Sequence, residues 1–92
     1  MKVDWDPEKA KLNLKNHGIR FPDAEIALFD PMALTLEDES AEGEQRFISI
    51  GNDALSRIIV AVYAYRGEDI RLISARKATK LERKSYEKRI RF

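Results

Sequence analysis

Residues 57–65, RIIVAVYAY, constrain this chain more than any other stretch. After the opening arginine they are nearly continuous in β-branched and aromatic residues, and a strand of that kind has no side that tolerates water. It demands a place inside a sheet, with strands alongside it and helices covering at least one face. The apolar part, 58–65, is far too short to cross a bilayer.

The flanking turns say which strands those are. Gly51-Asn52-Asp53 precedes the run and Arg66-Gly67-Glu68-Asp69 follows it, both being turn compositions. Upstream, MALTLEDES from Met32 reads as a strand entering the acidic loop SAEGEQ, and a second strand covers Arg46 to Ile50. Downstream, Ile70 to Ala75 is the last strand. Four consecutive strands joined by hairpins form an antiparallel meander.

Helices lie at both ends of the chain. Val3–Trp5 suits a short edge strand, after which Asp6-Pro7-Glu8 starts a helix with a capping acid, a proline at the first position and an acid in the first turn. Gly18 ends that helix after His17. Its inward row at 3.6 residues per turn is Ala10, Asn13, Leu14 and His17. A second helix spans Pro22 to Leu28, packing through Ala24, Ala27 and Leu28, and Asp30-Pro31 closes it. A third runs from near Thr79 to about Arg89, opened by a Thr79/Glu82 capping box. The fold class is α+β: a four-stranded antiparallel meander plus a short N-terminal strand, two N-terminal helices and one C-terminal helix.

Ninety-two residues suit a single domain, 1–92. With no Cys there is neither a thiolate nucleophile nor a Cys-based zinc site, and one His rules out a multi-His metal centre. No phosphate-loop or dinucleotide glycine pattern occurs, so no cofactor and no metal is expected. The N-terminus lacks a signal-peptide core, and a cytoplasmic protein with no membrane partner is expected. The net charge of +1 conceals a bipolar chain: residues 70–92 carry formal +7 and residues 1–69 carry −6. Such a basic end fits phosphate or an acidic partner.

The available chemistry is that of Arg, Lys, Glu, Tyr and one His. Metal-free RNA cleavage needs a base for the 2′-hydroxyl, cations around the phosphate and an acid for the leaving oxygen. Candidate catalytic residues are Arg76, Glu82, Arg83, His17 and Tyr86. Arg46, Arg71, Lys77 and Lys80 are candidate RNA contacts. Each has a structural alternative. Arg76 sits where the last strand becomes the last helix, placed either for a ligand or for a salt bridge to the acidic loop 37–44. Glu82 serves the capping box, Tyr86 packs with Ile90 on the sheet, and Arg83 is a solvated charge. An imidazole titrates near neutrality, but His17 also suits a helix C-terminus beside Leu14. Arg46 pairs with Glu44 or binds phosphate. Strand alternation sets Arg71 against the row Ile70, Leu72, Ser74 without settling which faces the core. Trp5 is either a stacking surface or a core anchor.

The segments WDPEKAKLNLKNHGIRFPDA (5–24), FDP (29–31), GEQRFISIG (43–51) and IRLISARKATKLERKSYE (70–87) resemble the BrnT family of bacterial toxins across nearly the whole chain. The WD, KA, N, HG series with ISARKA and ER-x-x-YE carries the likeness. The resemblance implies a RelE-like fold and a ribonuclease that inhibits translation by degrading RNA without a metal. It also implies a cognate DNA-binding antitoxin, through which alone the toxin reaches operator DNA to repress the operon. On that view Arg76 and Arg83 hold the phosphate, and Glu82 or His17 handles the 2′-proton. The residues alone leave open a noncatalytic module that binds nucleic acid or an acidic protein.

Overall fold

The computed structural model describes residues 2–40 and 42–89. In chain order these form β1 (Val3–Asp4), α1 (Pro7–His17), α2 (Phe21–Leu28), β2 (Leu34–Asp38), β3 (Arg46–Asn52), β4 (Ile58–Arg66), β5 (Asp69–Lys77) and α3 (Lys80–Arg89). The five strands lie in the order β1-β5-β4-β3-β2. Strands β2 to β5 are each antiparallel to the next. β1 adds in parallel to β5, pairing Val3 with Ile70 and Asp4 with Arg71. The RIIVAVYAY run supplies β4, flanked by a strand on either side.

Local chemistry fixes the helix ends. The Asp6 carboxylate accepts from the Glu8 N–H at 2.8 Å, and Gly18, at φ 69°, donates its N–H to the Leu14 carbonyl. α2 starts one residue earlier than the sequence suggests, at Phe21. β2 starts later, at Leu34, because the Asp30 carboxylate takes the Met32 N–H in a turn. β3 and β5 run past their expected ends to Asn52 and Lys77.

Helices cover both faces of the sheet. On the first, Ile19, Phe21, Ala24 and Ala27 pack on Ile59, Ala61, Tyr63, Ile70, Leu72 and Ala75. Trp5 meets Phe21 edge-on at 5.8 Å, anchoring the core. On the second face, Tyr86 of α3 packs on Ile50 and Val60. Neighbouring β4 residues thus serve opposite cores, as a doubly buried strand requires. At Gly51 the sheet comes so close to α2 that an added Cβ would lie 2.5 Å from the Ala27 carbonyl oxygen.

The inward row expected for α1 is only half right. Asn13 is buried and Ala10 partly buried, whereas Leu14 is 45% exposed and His17 faces solvent. The reason is position: α1 runs beside the outer edge of β5, where β1 pairs only as far as Arg71. There the Asn13 side chain replaces a strand. Its Oδ1 accepts from the Ala75 N–H at 3.0 Å, and its Nδ2 donates to the carbonyls of Ala75 (2.8 Å) and Ile19 (3.1 Å).

Candidate functional site

The site is set by an extra residue in β5. Tyr63 pairs with Leu72 and Val62 with Ser74, leaving Ile73 as a bulge. Leu72 and Ala75 therefore share the first core although they stand an odd number of positions apart. Cross-strand pairing then puts Arg71 opposite Ala64, Ser74 opposite Val62 and Arg76 opposite Val60, all on the second face. Sequence alternation alone grouped Ser74 with Ile70 and Leu72, and the bulge overturns that grouping. Arg46, paired with Asp38 and one residue before Phe47, lies on the same face of β3 by alternation. Arg71 and Arg76 are accessible there, with side chains 37% and 44% exposed.

Arg76 is held by α3. Its Nη1 and Nη2 donate to Glu82 Oε1 and Oε2 at 2.8 and 2.9 Å, a two-point bond. Glu82 Oε1 also accepts from the Thr79 N–H at 2.8 Å, and Thr79 Oγ1 accepts from the Glu82 N–H at 3.2 Å, completing the capping box. The Arg76 hydrogen bonds hold the Glu82 carboxyl at about 2, far below its ordinary 4.5, with the Thr79 N–H adding to the effect. Glu82 correspondingly raises the Arg76 guanidinium. The partner of Arg76 is thus Glu82 and not the acidic loop 37–44.

Tyr86 is buried, and its hydroxyl donates to Asp30 Oδ2 at 2.5 Å. Burial, then the bond to Asp30, pushes the phenol up to about 12. Burial also acts to raise the Asp30 carboxyl. The hydrogen bonds from Tyr86, Met32 and Asn52 outweigh it and hold that carboxyl below its ordinary value. Asp30 therefore joins α3, the β2 approach and β3. Ile90, expected to pack with Tyr86, lies outside the described residues.

His17 lies at the end of α1, on the β5 side of the sheet. A groove of about 190 Å³ between that helix and the bulged edge is lined by Lys9, Leu12, Asn13, Asn16, His17, Ile73 and Ser74. Ser74 links the groove to the strand that carries Arg71 and Arg76. Leu14 does not pack His17 into a core.

Arg83 has a different setting from Arg76. It lines a cleft of about 340 Å³ at the end of the sheet with Ser56, Arg57, Ile58, Lys77 and Ala78. Lys80 is exposed at the start of α3. Glu44 pairs with Arg66 at 2.8 Å rather than with Arg46, whose Nε is buried without a partner among the described residues. Arg71 Nη1 lies 3.6 Å from Asp4 Oδ1.

Three residues that shape the site went unremarked as such in the sequence. Asn13 stood out only as a polar residue on an inward row. Asp30 looked like a helix stop. Arg57 looked like the first residue of a strand but bonds Asp53 through Nε at 2.9 Å and Nη2 at 2.7 Å. Among the described residues no three His, Asp or Glu side chains cluster as a metal ion would require, and no helix is long and apolar enough to cross a membrane.

The chain is similar to the crystal structure of the Brucella abortus ribonuclease toxin BrnT, at 29% sequence identity and a TM-score of 0.69, over 87% of this chain and 99% of that one. No curated protein sequence matches. A family model described as the ribonuclease toxin BrnT of type II toxin–antitoxin systems matches residues 5–82. With that match and a structural relative spanning the same fold, the chain belongs to the BrnT family of type II ribonuclease toxins.

Proposed function

We propose that this chain cuts RNA without a metal, using the second face of the sheet beside α3, and that it inhibits translation in the cytoplasm by doing so. One observation carries this reading: the Ile73 bulge puts Arg71, Ser74 and Arg76 on the face that also holds Arg46, next to the groove of His17. In the reaction, the 2′-oxygen attacks the adjacent phosphorus as its proton passes to a base. The bond from phosphorus to the 5′-oxygen breaks, and that oxygen takes a proton from an acid. The products are a 2′,3′-cyclic phosphate and a free 5′-hydroxyl.

Arg46, Arg71 and Arg76 supply the cations that stabilise charge on the phosphoryl oxygens. A carboxylate held at about 2 is a weak base. Glu82 accordingly orients Arg76, and His17 takes the proton-transfer role. Tyr86 fixes α3 through Asp30, while Arg83, Lys77 and Lys80 engage the RNA strand. The fold is RelE-like on this reading, supported by consecutive antiparallel strands with α2 on one face, α3 on the other and α1 along the edge of β5. As a type II toxin the chain has an antitoxin partner. That partner is proposed to bind DNA, to cover the second face, and to repress the operon together with the toxin.

The test is RNA degradation by the purified protein in the presence of chelator, with and without antitoxin. Cleavage that survives chelation, stops with antitoxin, and falls at least a hundredfold in Arg76→Ala and His17→Ala supports the reading. Full cleavage by both variants would sink the assigned roles. RNA binding without turnover would instead make the chain a noncatalytic module.

A further inference from the structure

We propose that the cleft at the end of the sheet is a phosphate subsite for the RNA strand, separate from the phosphate that reacts. This rests on the chain acting on RNA. The cleft lies between the β3–β4 turn and the first turns of α3, and its lining holds three cations and no carboxylate: Arg57, Lys77 and Arg83, with Ser56, Ile58 and Ala78. The charges are not equivalent. Arg57 is neutralised by Asp53, whose buried carboxylate also takes the N–H groups of Leu55 and Arg57 at 3.0 and 2.8 Å. Arg57 and Asp53 thereby make one wall rigid. That wall presents Ser56, which adopts φ 61°, a conformation rare outside glycine. Lys77 and Arg83 have no carboxylate partner among the described residues.

Two unpaired cations across a preformed turn fit one phosphodiester group, with the serine hydroxyl in reach of its oxygens. Arg83 lines this cleft and Arg76 does not. Arg76 belongs to the second face, where its guanidinium is fixed by Glu82. Lys77 ends β5 and Arg83 lies on α3 just past it, where a chain leaving that face would pass. They grip a flanking phosphate and set the register of the RNA.

The probe is a fluorescent 2′-O-methyl RNA hexamer, which lacks the attacking hydroxyl and so reports binding alone. Its affinity is measured by anisotropy across a salt series for the full chain and for Lys77→Ala, Arg83→Gln and Lys84→Ala. Letting go of one phosphate on a single strand lowers the salt slope by about 0.7. Lys77→Ala and Arg83→Gln should each weaken binding on the order of tenfold and share that loss of slope, and Lys84→Ala should change neither. All three positions are exposed, and circular dichroism verifies that each variant is folded. Unchanged slopes, or an equal effect of Lys84→Ala, would overturn the proposal. So would a loss of antitoxin affinity with hexamer binding intact, which would give the cleft to the protein partner. On cleavable RNA, the two variants should raise KM for a hexamer at constant kcat and leave a dinucleotide unaffected. An equal fall in kcat on both substrates would put Arg83 at the reacting phosphate instead. Absence of cleavage by the wild-type chain would remove the ribonuclease reading, and the hexamer titration would still decide the subsite.

Discussion

Replacing Glu82 by Gln separates two roles that one carboxylate can play. The folded protein holds this group at about 2 against an ordinary 4.5. If that whole difference reported pairing in a water-free site, it would correspond to about 3.4 kcal/mol. The pair is not water-free: the Arg76 and Glu82 side chains are 44% and 27% exposed. Solvent screening reduces the expected loss to about 1–1.5 kcal/mol. For a domain of this size that is a fall in Tm of roughly 4–12 °C. Gln keeps an oxygen for the Thr79 N–H, so the loss belongs mainly to the bond with Arg76.

The pH dependence has a definite sign. Glu82 has a depressed value in the folded state, so its contribution is present above the ordinary 4.5 and is lost as pH falls toward 2. Urea titrations of wild type and Glu82→Gln should therefore differ at pH 7 by about 1–1.5 kcal/mol and converge below pH 3. A double-mutant cycle with Arg76→Met should return a coupling of about the same size at pH 7. A loss under about 0.3 kcal/mol, or one that persists unchanged in acid, would refute the assignment of the pair. Catalysis supplies the second readout. A group that orients Arg76 should cost about tenfold in cleavage, whereas a general base is worth about 10² to 10⁴. A thousandfold loss in folded Glu82→Gln would mean that this carboxylate moves the proton after all.

Four further substitutions probe the frame. Asn13→Ala removes all three bonds of the strand-mimicking amide and strands the Ala75 N–H. It should cost about 2–3 kcal/mol in urea unfolding, and Asn13→Asp should be worse at pH 7, since a carboxylate would face two carbonyl oxygens. Gly51→Ala forces a Cβ to 2.5 Å from the Ala27 carbonyl, so about 1–3 kcal/mol should be lost as α2 is pushed from β3. Tyr86→Phe removes the hydroxyl from Asp30 and should cost about 1–2 kcal/mol. The raised Tyr86 value means its contribution is full below the ordinary 10.0 and lost as pH rises through about 12. Phenolate absorbance of the wild type should show one tyrosine titrating near 12 that Tyr86→Phe lacks.

The element order was legible because its signals are local. Asp6-Pro7, Gly18 and the Thr79/Glu82 box each act within one turn, and each does so in the structure. Partner choice was less legible. The sequence offers Arg76 an acidic loop far along the chain, yet its carboxylate lies six residues on, brought back by the reversal from β5 into α3. A helical wheel points Leu14 and His17 inward only for a helix lying over the sheet. α1 lies beside an edge, so the inward position falls to a polar residue that can satisfy backbone.

The least legible feature is the one on which the site depends. Alternation from Ile70 places Arg71 and Arg76 on opposite faces of β5, since they stand an odd number of positions apart. Only the pairing with β4 reveals that Ile73 is skipped and that both arginines face the same way. The location follows from the sheet's construction. β4 is hydrogen-bonded on both sides, so an extra residue there would break two ladders. β5 beyond Arg71 has no strand on its outer side, and Asn13 meets the backbone there with a side chain that can adapt. An edge that one asparagine covers can hold a bulge, and the bulge turns a half-buried alternation into a cationic face. The same short β1 that leaves the edge uncovered also opens the groove that His17 and Ser74 both line.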